Sequence, residues 1–272
     1  NVAFGAMAVA LTLAFVTESR DPVPRPLDAL GQVLFIGGVG ALIYALIQGS
    51  QLGWTSPVIL GLLGGSAVVL VVFVRTELRS RSPMMDVRVF RDPVYTAAIV
   101  TIFATLFGVY GMLLVITQYF QTVHGYSPVR AGLLLLANTI PAVICAPLAG
   151  RVAARLGGRR PTLAGLASMV LAFTTLTAAV GGPLPFVLLG LSFAGIGVGF
   201  AVTPATGVAM SSIPPERSGM ASGIMSAQRA LGSTAGFAVM GTVLALVVSM
   251  QLPGDLETLI PDESERTEVV DQ

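Results

Sequence analysis

The chain has 272 residues, of which 54% are hydrophobic and 11% charged, with a formal net charge of +1 and a mean hydropathy of +0.84. Soluble domains carry about 25% charged residues, so this chain lacks the polar surface a water-soluble fold requires and reads as an integral membrane protein. Every basic residue is Arg, acidic residues crowd into the stretch from Asp255 to Asp271, and one cysteine, Cys145, excludes an intramolecular disulfide.

A bilayer core of about 30 Å takes about 20 apolar residues in a helix. In chain order, apolar runs of roughly that class cover residues 2–16, 30–47, 58–74, 94–120, 129–150, 162–180, 186–210 and 220–250. The first begins at Asn1 with the run already under way and reads as a truncated span. The eighth is long enough to leave the bilayer, and the acidic tail from Pro253 reads as loop or disorder. Open sheets would leave unsatisfied edges in lipid, and no run alternates as a barrel strand would. The expected architecture is therefore all-α, with about eight transmembrane helices.

Charge orients these runs. The first connection carries Arg20 and Arg25, and the third carries Arg75, Arg79, Arg81, Arg88 and Arg91. The fifth carries Arg151, Arg155, Arg159 and Arg160, and the seventh Arg217. The second, fourth and sixth carry none, although Arg130 lies just past the fourth. By the positive-inside rule the odd connections are cytoplasmic and the tail is outside.

Small residues recur at four-residue spacing as Gly61/Gly65, Gly195/Gly199, Gly219/Gly223 and Gly232/Gly236, a pattern that lets membrane helices approach closely. Pro141, Pro147 and Pro204 interrupt spans and are candidate kinks. No Asp or Glu is expected deep in a span. Arg229 is the one deep charge, able to meet a carboxylate, an anionic substrate or backbone carbonyls. Phe107, Tyr110, Gln118 and Gln121 of the fourth run combine aromatic and amide groups suited to a cavity wall. Asn138 is a lone amide in the fifth run, open to a cavity role or an interhelical bond, and Met225 and Gln228 neighbour Arg229. His124 reads as a solvated loop residue. No metal-ligand cluster, cofactor motif or nucleophile–base pair is present in the sequence, no phosphate-binding loop is possible without Lys, and the arginines are too dispersed for a nucleic-acid surface. An enzyme and an ATP-driven pump are thereby excluded.

Three stretches resemble the fourteen-span drug:proton antiporters (EmrB/QacA type) of the major facilitator superfamily: GYSPVRAGLLLL from Gly125, APLAGRVAARLGGRR from Ala146, and SGMASGIMSAQRALGSTAG from Ser218. Gly150, Arg155, Gly157, Arg159 and Arg160 resemble the second-half copy of that superfamily's cytoplasmic signature, with Ala154 where the signature has Asp. The resemblance implies a partial helical bundle. Residues 1–26 would be the last helix of the N-terminal half and a cytoplasmic linker, and residues 27–92 two extra helices and a cytoplasmic loop. Residues 93–250 would be the C-terminal half without its last helix, and residues 251–272 an acidic extracytoplasmic loop. It also implies a multi-pass protein of a bacterial plasma membrane that exports drugs or lipophilic and cationic small molecules against protons. Its proton-binding carboxylate would lie outside this chain, and its partners would be the bilayer, the missing N-terminal half and the last helix. A non-transporting scaffold or channel is the alternative.

Overall fold

The computed structural model describes residues 2–15, 28–80, 83, 85, 87–214 and 218–259. Arg20, Arg25, Arg81, Arg217, Arg266 and the tail from residue 260 lie outside them. Eight α-helices are described: α1 (Val2–Phe15), α2 (Ala29–Leu52), α3 (Pro57–Arg79), α4 (Pro93–Gln118), α5 (Pro128–Leu156), α6 (Arg159–Ala178), α7 (Leu184–Ser211) and α8 (Ser218–Leu259). Seven of them, α2 to α8, are long and apolar enough to cross a membrane, while α1 is described over only 14 residues. The all-α membrane bundle is what the composition predicts.

Helix starts follow from local chemistry. The first turn of a helix has four backbone N–H groups without partners, and a preceding Ser or Asp oxygen satisfies one of them. Asp28 accepts from the Gly31 amide at 2.7 Å, Asp92 from Val94 at 2.8 Å and Ser127 from Arg130 at 3.3 Å. Pro57, Pro93 and Pro128 occupy the first helical position, where a missing N–H costs nothing.

α7 is the central strut: it packs against α5, α6 and α4. α8 rides on α4 and α2 and touches α7 only lightly, and α3 packs on α2. One apolar cluster joins Val109, Met112 and Ile116 of α4 to Leu191 and Ala194 of α7 and to Met169 of α6. A second, nearer the start of α4, joins Tyr95, Ile99 and Ile102 to Ala205 and Ala209 of α7 and to Ala221 and Met225 of α8.

The expected glycine contacts divide evenly. A Cβ at Gly195 or Gly199 would collide with the α5 backbone, at the Asn138 carbonyl and at the Ala146 amide respectively. One at Gly232 or Gly236 would press on the carbonyls of Phe103 and Phe107 in α4. Gly61, Gly65, Gly219 and Gly223 have no such neighbour, so these two pairs do not seat a helix here. Spacing alone cannot separate the cases, because it fixes only which residues share a face and not what that face meets.

Other boundaries shift. The arginine segment is not an extended loop: α5 runs through Arg151 and Arg155 to Leu156, and α6 begins at Arg159, so Gly157 and Gly158 alone make the turn. Gly157 adopts φ +78°, which glycine alone takes without strain. α4 continues into a π-helical turn, Tyr119–Val123. Helix α8 extends through Pro253 to Leu259, past the point where a loop is expected. Helices α5 and α7 run unbroken through Pro141, Pro147 and Pro204; Pro204 is buried, Pro141 half-buried and Pro147 exposed.

Candidate functional site

A buried polar side chain in an apolar bundle is costly without a partner, and four of them here tie particular pairs of helices. Asn138 of α5 is 7% exposed and donates from Nδ2 to the Leu191 carbonyl of α7 at 3.3 Å. Gln228 of α8, 8% exposed, donates from Nε2 to the Ile99 carbonyl of α4 at 2.7 Å. Ser168 donates to Phe193 O at 2.7 Å, joining α6 to α7, and Ser66 to Gly38 O at 2.8 Å, joining α3 to α2. Met225 is buried in the α4–α7–α8 cluster. Asn138, Met225 and Gln228 thus sit within helix contacts.

Arg229 is placed differently. It is exposed, and its Nη2 donates to the Thr206 hydroxyl of α7 at 3.1 Å. It lies about 16 Å along α8 from Ser218. Among the described residues no carboxylate pairs with it. Residues four apart share a helix face, which puts Arg229, Ser233 and Phe237 in one line, with Ser226 beside them. Ser226 is exposed, Ser233 half-buried and Phe237 39% exposed. At the far end of that line Tyr110 of α4 meets Phe237 edge-on, with ring centroids 5.5 Å apart.

One turn earlier on α4, Phe107 is half-buried and stacks on Phe103 at 6.2 Å. Gln118 is exposed at the helix end and accepts from the Thr122 hydroxyl at 3.4 Å, and Gln121 lies half-buried in the π turn. His124 follows, edge-on to Tyr119 and stacked on Tyr126 at 5.2 Å, while the Arg130 guanidinium lies 3.9 Å from the Tyr126 ring centre. At the opposite end of the bundle Arg151, Arg155, Arg159 and Arg160 are exposed around the Gly157–Gly158 turn. A Cβ on Gly158 would meet Val208 of α7 at 2.5 Å, and Gly150, half-buried, faces Thr203 of α7.

Sequence reasoning misses several residues here, among them Ser226 and Ser233 of the α8 face. Thr206 and Phe237 complete the α8 face, but most hydroxyls in these helices bond back to their own turn, as Thr101 and Thr105 do, so nothing in the spacing marks Thr206. Trp54, in the α2–α3 turn, donates to Thr242 of α8. Glu77 is 3% exposed near the end of α3, beside Gly31, and accepts from the Met85 amide at 3.3 Å. Its burial is by protein at a helix end, which an apolar-run count does not register.

Residues 2–237 match the family model for the Major Facilitator Superfamily. The chain belongs to that superfamily. Among its relatives is the multidrug resistance protein Stp of Mycobacterium tuberculosis, 47% identical over 266 residues, covering 98% of this chain and 50% of the relative. The drug efflux pump JefA of the same species is 35% identical over 272 residues, covering 100% of this chain and 54% of the relative. The quinolone resistance protein NorB of Staphylococcus aureus is 30% identical over 237 residues, covering 86% and 51%. The chain spans about half the length of the curated relatives it matches. As a facilitator-superfamily chain with seven membrane-length helices, it is a multi-pass protein of a bacterial plasma membrane.

Proposed function

We infer that the chain is the central and C-terminal part of a fourteen-span secondary transporter that exports drugs or other lipophilic small molecules in exchange for protons, by alternating access. In this reading α1 is the last helix of the N-terminal half, α2 and α3 are the two extra helices, and α4 to α8 are five helices of the C-terminal half. The single observation that carries it is the open, cation-bearing face of α8 beside α7. A charge that deep in a membrane-length helix is costly unless it lines a cavity or meets a partner. The names of the relatives, which include multidrug resistance and drug efflux proteins, support the same substrate class.

The face of α8 carrying Ser226, Arg229, Ser233 and Phe237, with Thr206 and Tyr110, is the proposed substrate wall of this half. The Gly157–Gly158 turn and its arginines form the cytoplasmic conformational element: the four guanidinium groups are exposed around the turn, where lipid phosphates can meet them. The test is dye efflux from an efflux-deficient bacterium expressing the full-length protein. Ethidium export that stops when a protonophore collapses the proton gradient is expected. Export that survives the protonophore removes the proton coupling, and no export of any dye at normal membrane abundance removes the transporter reading in favour of a scaffold or channel.

A further inference from the structure

We propose that the α8 face selects substrates bearing an acidic oxygen on a planar aromatic system, with Arg229 taking the carboxylate or phenolate and the Tyr110–Phe237 pair taking the rings. This rests on the efflux reading above and narrows its substrate class. Among the described residues Arg229 is the only charged side chain along the face, and its one partner there, the Thr206 hydroxyl at 3.1 Å, is neutral. A guanidinium has five N–H donors in a planar fork suited to two oxygens of one anion. One donor on Thr206 fixes the group's direction and leaves the rest for a ligand.

The other groups along the face are hydroxyls and rings. The Ser233 hydroxyl donates back to the Arg229 and Ala230 carbonyls at 3.0 Å, which leaves its oxygen as an acceptor only. Phe237 lies eight residues from Arg229, about 12 Å along the helix. It presents one ring against the edge of Tyr110, and both side chains are more than a third exposed. A cation at one end and a pair of aromatic surfaces at the other match a fused-ring molecule with an acidic group at its edge. A permanent cation placed at the same spot would meet the Arg229 charge, with no carboxylate among the described residues of the face to offset it.

Two planar tricyclic dyes of opposite charge test this in the full-length protein: fluorescein, which is anionic, and ethidium, which is cationic, taken up into everted membrane vesicles. The expected result for Arg229→Ala is a loss of fluorescein uptake of about tenfold or more, the scale of a lost charged hydrogen bond, with ethidium uptake held or raised. Arg229→Lys, which keeps the charge and loses the fork, recovers part of the fluorescein uptake. Tyr110→Ala lowers uptake of both dyes. Equal loss of both dyes in Arg229→Ala at unchanged membrane abundance overturns the proposal, because the guanidinium then serves an ion pair or the transport cycle itself. Wild-type vesicles that take up ethidium and not fluorescein overturn the proposal and leave the efflux reading standing. Wild-type vesicles that take up neither overturn the efflux reading too.

Discussion

The indole N–H of Trp54 donates to the Thr242 hydroxyl at 2.7 Å, across 188 positions of sequence, and binds the α2–α3 turn to α8. Trp54 also lies against Gly49, where a Cβ would touch the ring at 2.9 Å. The α2–α3 hairpin is therefore fastened to the C-terminal bundle at its turn as well as along α2. Interhelical hydrogen bonds in membranes average about 0.6 kcal/mol. Trp54→Phe and Thr242→Val are each expected to lower stability by about 0.5–1 kcal/mol, and the double variant by no more than either alone. Thermal unfolding of the detergent-solubilised protein reads this; additive losses would mean the two residues act separately.

Gly236 and Gly195 lie where α4 and α5 leave no room for a side chain. Substituting either with Val is expected to force the helices apart and cost about 1–3 kcal/mol, seen as reduced membrane abundance. Gly61→Ala and Gly65→Ala, made where nothing approaches, should stay within about 0.5 kcal/mol of wild type. A severe effect at Gly61 would show that another element covers it in the full-length protein.

Asn138 and Gln228 bond to backbone carbonyls of neighbouring helices. Asn138→Ala and Gln228→Ala are each expected to cost about 1 kcal/mol without changing which dyes are exported. A change of dye preference at wild-type stability would return them to the substrate wall.

Orientation can be read by labelling. In a Cys145→Ser background, Arg159→Cys is expected to react with a membrane-impermeant maleimide only in everted vesicles. Val123→Cys, 69% exposed at the other end of the bundle, should react only from outside intact cells. Reaction of both from one side contradicts the alternating topology.

The helices were readable because membrane length and capping chemistry are local properties. The apolar run at residues 94–120 predicts the start of α4, at Pro93, to within a residue. The partners were not readable, because they depend on where a face points after packing. Asn138 and Arg229 are both singled out in the sequence as polar groups deep in apolar runs, yet one is sealed against Leu191 and the other stands open beside Thr206. The arginine segment misled for a different reason: charge marks where a chain leaves the bilayer, not where its helix stops, and α5 carries Arg155 a full turn past the apolar run.

The crowding of α7 constrains how the protein can diversify. Gly190, Ala194, Gly195, Gly197, Ala201 and Ala205 are all buried there, so neighbouring helices press on its backbone from several directions. A helix so hemmed in has little space for large side chains that could grip different molecules. Changes of chemical taste among descendants of such a protein are therefore expected to collect on α4, α5 and α8, while the strut between them drifts slowly.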